Sequence, residues 1–322
     1  MSLETKNNDE PDEKFTSAFA HLYKTNGQTT SELSQQERRE FLLKEQKEKR
    51  HSLVDRQRDL SELFSEEEDE VPVEDMEVDP QQKPKKKDKF FLMFSEWFTD
   101  VPIDLEDNWL VKLAPEGFRV LVIAKKFRTV VLNERGKVLT LKTHFPGGGL
   151  NKHHGLTVLD CIYNKSTQTI FVLDCLFWNT MSMLDSETTF RFYWLETQFN
   201  ENSKLLQTSK PHKFQLIKFF PAEKSLIQQK VFEKSTSVLD TGIVFYHKEL
   251  HYVFGQTPLL GWLYTYMLPE KLGIDVPEEL LNKMPKDYKC LEQYLVTLEK
   301  RQELKRKSYK ERRQAKSNLM ET

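Results

Sequence analysis

Cysteine is almost missing from this chain. Its 322 residues hold three, Cys161, Cys175 and Cys290, too few and too scattered for a disulfide framework or a zinc site, which points to a reducing compartment. No apolar run approaches the roughly 20 residues that cross a bilayer, so no membrane partner is expected. The opening "MSLETKNNDEPDEKF" is polar and acidic, unlike a secretory signal. Phosphate-cradling chemistry is also lacking. The Gly-rich "FPGGGL" at 145–150 has no Gly-Lys-Ser/Thr ending and reads as a flexible loop at a strand end. His153 and His154 adjoin, but no Cys or acid stands at ligand spacing, so they read as loop histidines and no metal or cofactor is expected. No Ser, Cys or His arrangement signals a nucleophile, and there are no internal repeats.

What is present is unevenly distributed. The net charge of −2 conceals blocks of acid and base, so the overall balance says little about partners. All five Trp lie between Trp97 and Trp262, so the centre of the chain can bury a core that the ends cannot. Residues 1–30 read as a flexible N-terminus with one amphipathic turn at Phe15, Phe19 and Leu22. From Ser31 to Phe64 there is neither Gly nor Pro, and Ser34 with Glu37 reads as a capping box. The spacing predicts a long helix with a thin apolar stripe (Leu53, Leu60, Phe64). It carries eight Lys/Arg against six acids over residues 37–59. Such a helix cannot bury itself alone; it binds something or frays. Nine acids follow between Glu66 and Asp79, then "KPKKKDK" from Lys83, so 65–89 reads as a disordered acidic and basic linker. The Lys run is also a weak nuclear-address signal.

From about 90 to 285 the pattern is that of an α+β, antiparallel β-rich domain. Short β-branched runs at 109–114, 119–125, 128–133 and 138–143 alternate with turn sequences "PEG" and "ERG". The runs at 155–164 and 168–179 flank "KST" as a hairpin of buried strands. "FRFYWLETQF" (190–199), "FQLIKFFP" (214–221) and "TGIVFYH" (241–247) continue the strand series, and 222–233 reads as a helix. Residues 286–322 form a basic helix and tail.

The stretch "TPLLGWLYTYM" (257–267) asks whether Trp262 fills a core or faces a ligand, since it follows a Pro and a Gly where chains turn. "LMFSEWFTDVP" (92–102) sets Phe94, Ser95, Glu96 and Trp97 together just before a turn. Each aromatic alone is more often core than site. Together with nearby basic residues they match a nucleobase site, in which aromatics stack bases while Arg and Lys hold phosphates. A methylated, cationic base would gain further from cation–π attraction.

In order along the chain, "SELSQQERREFLLKEQKEKR", "FSEWFTDVP", "VLDCIYN", "FRFYW", "VFYHKELHY" and "TPLLGWLYTYMLPEKLGIDVP" resemble the snurportin family of nuclear import adaptors over roughly residues 31–280. The resemblance implies an N-terminal importin-β-binding helix, an acidic linker, and a domain with a fold like that of messenger-RNA guanylyltransferases and DNA ligases. It further implies that this domain binds the trimethylguanosine cap of spliceosomal U small nuclear RNAs. By resemblance Trp262 is displayed and stacks on the methylated guanine, and Phe94 stacks on the adjoining base. Ser95 and Trp97 form the cap-pocket pair, with Trp97 near the methylated amine, and Arg119 is a basic cap-contacting residue. The family's phosphate-contacting Lys falls on Glu134 in "NERGK", leaving Arg135 or Lys137 to substitute.

On the N-terminal helix, Arg38, Arg39, Lys47, Lys49, Arg50 and Arg58 are the importin-binding candidates. An export-receptor contact, to an exportin, falls on Phe15, Phe19 and Leu22. The expected protein is a monomer that shuttles between nucleus and cytoplasm. Catalysis is not expected. The guanylyltransferase nucleophile position in "AKKFRT" (124–129) is Ala124, and Trp262 is flanked by Gly261 and Leu263 where two phosphate-binding lysines would stand. The rivals are a nucleotidyltransferase acting through Lys125 or Lys126, and a scaffold whose aromatic surface binds protein.

Overall fold

The computed structural model describes residues 33–48, 92–151, 153–234 and 240–318. The expected N-terminus at 1–30, the helix beyond residue 48 with Lys49, Arg50 and Arg58, and the linker at 65–89 lie outside them. Helix α1 runs Gln35–Glu48. Its capping box is formed: Ser34 Oγ accepts from the Glu37 amide at 3.2 Å, and the Glu37 carboxylate accepts from the Ser34 amide at 2.7 Å.

The folded domain is built on two sheets. In chain order its elements are β1 (Met93–Trp97), the short helix α2 (Leu105–Asn108), β2 (Trp109–Pro115), β3 (Phe118–Lys125), β4 (Arg128–Asn133), β5 (Gly136–Leu141), β6 (Thr157–Asn164), β7 (Thr169–Trp178), β8 (Met181–Ser182), α3 (Thr188–Glu201), β9 (Lys213–Leu216), β10 (Phe219–Pro221), α4 (Lys224–Lys234), β11 (Asp240–His247), β12 (Gly255–Tyr264), α5 (Leu268–Leu272), α6 (Glu278–Leu281) and α7 (Leu291–Asn318). One sheet has the order β1-β12-β11-β2-β10. The other runs β5-β4-β3-β6-β7-β8, with β9 added alongside β7. The domain is α+β and mainly antiparallel, as expected, but β1 joins β12 and β9 joins β7 in parallel.

Residue alternation along the strands explains the layering. On β3, Leu121 enters the core shared by the two sheets, while Val120, Val122 and Ala124 enter a second core beneath α3. Strands β6 and β7 are buried at every position, which is why both read as near-continuous apolar runs. Residues 190–199 are corrected from strand to helix α3. Their aromatics favour strand on local propensity. However, Phe192, Leu195 and Phe199 are buried while Phe190 and Tyr193 are exposed, a helical stripe. Expected strand 214–221 divides into β9 and β10, which pair in different sheets.

Charged groups cross the space between the sheets. Arg119 of β3 pairs with Asp160 of β6 and donates to the Met93 carbonyl of β1 at 3.2 Å; Tyr252 Oη donates to Asp160 at 2.7 Å. Arg191 of α3 grips Asp174 of β7 through two bonds of 2.9 Å and the Leu250 carbonyl at 2.8 Å. Lys112 of β2 reaches across to the Leu173 carbonyl of β7, its ammonium 3.5 Å from the centre of the Phe192 ring.

Burial pushes the Lys112 ammonium down to about 7, against roughly 10.4 in an unfolded chain. Between those values the unfolded chain binds the extra proton, so stability rises with pH across that window. Urea unfolding of Lys112→Met between pH 7 and 9 should show a folded protein that has lost up to about 1.4 kcal/mol of stability gain per pH unit relative to the parent. An identical pH slope in both would count against a neutral buried lysine.

Candidate functional site

Strand β1 carries Phe94, Ser95 and Trp97, and β12 carries Trp262. The parallel register pairs Ser95 with Thr257, then jumps so that Glu96 meets Gly261 and Trp97 meets Trp262. A bulge in β12 at Pro258–Leu260 absorbs the difference. Two indoles far apart in sequence thereby become cross-strand neighbours. Phe98 continues the pairing, donating its amide to the Trp262 carbonyl at 3.1 Å.

Two glycines make room for the rings. A Cβ on Gly261 would lie 2.2 Å from the Phe98 ring, which is fixed by parallel stacking on Phe245 at 4.5 Å. A Cβ on Gly242, on neighbouring β11, would lie 2.3 Å from the Trp262 indole. Tyr264 lies edge-on to Trp262 and tilted against Trp97, both at 5.9 Å between centroids, and Tyr294 of α7 meets Trp97 edge-on at 5.7 Å. Burial, reinforced by neighbouring tyrosine, holds the Tyr264 and Tyr266 hydroxyls protonated well above their usual range.

The expectation that Trp262 is displayed is corrected. Its indole is 0% exposed, packed against Gly242 of β11 and edge-on to Tyr264. Pro258 and Gly261 do not mark a surface turn; one sits in the bulge and the other lies under Phe98. Trp97 and Ser95 are also buried, and Phe94 is half-buried. Arg119 is buried with its guanidinium on Asp160 and the Met93 carbonyl, two residues before Ser95. The structure therefore brings Phe94, Ser95, Trp97, Trp262 and Arg119 to one region.

Arg135 stands apart. It is exposed in the β4–β5 turn, its amide donating to Asn133 Oδ1 at 2.9 Å, and no described contact joins it to Ser95, Trp97 or Trp262. Lys137 is exposed on β5. Arg38, Arg39 and Lys47 all lie on α1, and all three meet the folded domain.

The guanylyltransferase-like nucleophile position carries no amine. Ala124 is fully buried. Lys125 lies on β3, an inner strand of its sheet, and pairs across the hairpin with Arg128. Lys126 and Phe127 form the turn, with φ of 48° and 60° that non-glycine residues rarely adopt. Among the described residues there is no group of three or more His, Cys, Asp or Glu able to hold a metal ion.

Sequence reasoning missed Tyr264, Tyr294, Tyr252 and Asp160, and it named Glu96 without its partner Arg38. Tyr264 had a signal, standing two residues after Trp262 in a strand-like run. Tyr294 had none, because it arrives from α7 only through tertiary packing.

A family model described as the Snurportin1 m3G cap-binding domain matches residues 91–265, and a second, described as Snurportin1, matches residues 22–59. The chain belongs to the snurportin family. It carries the family's m3G cap-binding domain and, ahead of it, a region that matches the family's second model. Solved structures similar to this snurportin-family chain include the ligase domain of M. tuberculosis LigD (15% identity, TM-score 0.39, covering 54% of this chain and 58% of that one). Another is Chlorella virus DNA ligase-adenylate (12% identity, TM-score 0.37, 54% and 66%). The chain thus spans less than two thirds of the length of these relatives.

If Tyr294 shields Trp97, Tyr294→Ala should red-shift the intrinsic tryptophan emission and raise the acrylamide quenching constant. The lost aromatic contact itself should cost about 0.5–1.5 kcal/mol. Unchanged quenching would show that the indole is covered by other groups.

Proposed function

We propose that this chain is a monomeric, non-catalytic adaptor that shuttles between cytoplasm and nucleus. In this reading the β1–β12 region holds the trimethylguanosine cap of U small nuclear RNAs, and the α1 segment engages an importin-β-family receptor. One observation carries it: the parallel register that sets Trp97 beside Trp262, with Ser95 one pleat away. Methylation at N7 leaves the guanine cationic, so Trp262 gains cation–π attraction on top of dispersion. Extra methyls on the exocyclic amine remove donors and add apolar surface. Trp97 favours that surface, whereas a site built to bond a free amine would reject it. Ser95 supplies a hydroxyl, and Phe94 stacks the following base.

Arg119 acts from below, holding β1 through the Met93 carbonyl. Arg135 and Lys137, exposed on the β4–β5 hairpin, are the bases available to the cap phosphates. Because Trp262 is fully buried, stacking requires a neighbouring ring to swing away. Tyr264 touches both indoles and is the described ring best placed to do so. The absence of an amine at Ala124 leaves covalent nucleotidyl transfer without a nucleophile. An export-receptor contact through Phe15, Phe19 and Leu22 belongs to the same reading.

Titrating the intrinsic tryptophan fluorescence with trimethylguanosine cap dinucleotide should give strong quenching, and the monomethyl cap weak quenching. Trp262→Ala should weaken binding by about 10- to 100-fold, matching roughly 1–3 kcal/mol for one stacked base. Trp262→Phe, which keeps an aromatic ring in the core, should fall between. No response to either cap would remove the cap-binding reading and favour the protein-scaffold one. Incubation with labelled GTP and magnesium should leave no denaturation-resistant label; a label on Lys125 or Lys126 would restore the enzyme reading.

A further inference from the structure

Helix α1 lies against the folded domain, and it does so through the residues assigned to importin. Arg38 grips the Glu96 carboxylate with both terminal nitrogens, Nη2 to Oε2 at 2.7 Å. Arg39 is 2% exposed. Its Nε donates to the Pro258 carbonyl at 3.1 Å, and its Nη2 donates to the Asp100 carbonyl at 2.9 Å and to Gln35 Oε1 at 2.8 Å. The same guanidinium lies 5.1 Å and 5.2 Å from the Phe98 and Trp109 ring centres. Gln35 donates to Glu96 Oε2 at 3.0 Å and to the Trp97 carbonyl at 2.8 Å, and it accepts from the Asp100 amide at 3.1 Å.

The other end of α1 is tied as well. Gln46 accepts from the His251 amide at 3.1 Å, and Lys47 meets Glu249 at 3.3 Å. Leu42 and Leu43 pack on the domain core.

These contacts are too specific for a solvated tether. The bulge that brings Trp97 beside Trp262 also turns the Pro258 carbonyl to Arg39. Glu96, on the opposite face of β1 from Ser95 and Trp97, is a nearly buried carboxylate whose described bonds all come from α1. Burial draws the Arg39 guanidinium down to about 10, the mark of a cation removed from water and held by carbonyl dipoles. A guanidinium cannot be buried on this domain and bonded to an importin at once.

We propose that the face formed by Glu96, the Trp97, Asp100 and Pro258 carbonyls and Glu249 is an intramolecular receptor for helix Gln35–Glu48, so that the folded domain and the importin compete for the same arginines. The proposal rests on the adaptor reading. Its consequence is a chain whose import signal is masked when the helix is docked. The apparent importin affinity is then the intrinsic affinity scaled by the undocked fraction.

The test uses the full chain, with domain-side variants that leave the helix sequence intact. Glu96→Gln removes the charge that Arg38 grips; Glu249→Gln, at a half-exposed position, guards against misfolding. Hydrogen exchange at 35–48 should be at least about tenfold slower in the full chain than in a synthetic peptide of residues 31–64, and Glu96→Gln should abolish most of that protection. Importin β should bind the peptide and Glu96→Gln about tenfold more tightly than the parent chain, and Glu249→Gln a few-fold more tightly. Exchange as fast as in the peptide, or importin β affinity equal for peptide, parent and both variants, overturns the competition while leaving the adaptor intact. Importin β binding to neither peptide nor chain overturns the adaptor reading and this proposal with it.

Discussion

The buried pair of Arg119 and Asp160 is the constraint on which the rest of this structure depends. Both groups have left water, and each carries enough partners to tolerate it: Arg119 also holds the Met93 carbonyl, and Asp160 accepts from Tyr252. Burying an ion pair stabilises little in net terms, but losing one partner is costly, so the pair acts as a register pin. It ties β3 and β6 of one sheet to the first residue of β1 in the other. Lys112 on the Leu173 carbonyl makes a second link between the sheets, and Arg191 on Asp174 ties α3 to β7. An inter-sheet space closed by such polar links permits little sliding of one sheet over the other.

With the first residue of β1 held, its pairing with β12 follows. Strands joined in parallel need a long connection, and here nearly the whole domain intervenes between Trp97 and Trp262. The bulge at Pro258–Leu260 lets both Ser95 and Trp97 keep one face of β1 while Glu96 turns to the other. One face gathers indoles and tyrosines; the opposite face presents a carboxylate and carbonyls to α1. The aromatic region and the helix-receiving surface are therefore two sides of a single strand. Glycine at 242 and 261 is required because the indole and the Phe98 ring occupy the space a side chain would need.

Most strand boundaries were legible in the sequence because β-branched alternation and the turn sequences state them locally. The capping box at Ser34 and Glu37 was legible for the same reason. Helix α3 was misread because its aromatics favour strand locally, while the 3.6-residue spacing of Phe192, Leu195 and Phe199 decides in favour of helix once two cores are available. Trp262 was misread because a Pro and a Gly usually announce a turn. Here they serve a bulge and a close ring contact, neither of which has a local signature. Glu96 was visible beside Ser95 and Trp97, but nothing near it in sequence names Arg38 as its partner.

The sequence by itself determined the strand-rich centre, the lack of an amine at residue 124 and the membership of its motifs in the snurportin family. Each of these is written in residue type and short-range spacing. Only the tertiary structure decided that Trp97 and Trp262 are neighbours, that both indoles are covered, that Arg119 is committed to Asp160, and that helix α1 lies on its own domain. Those facts depend on parallel pairing, on burial and on contacts between residues more than forty positions apart. Desolvation and register govern such contacts, and neither can be read from a window of neighbouring side chains.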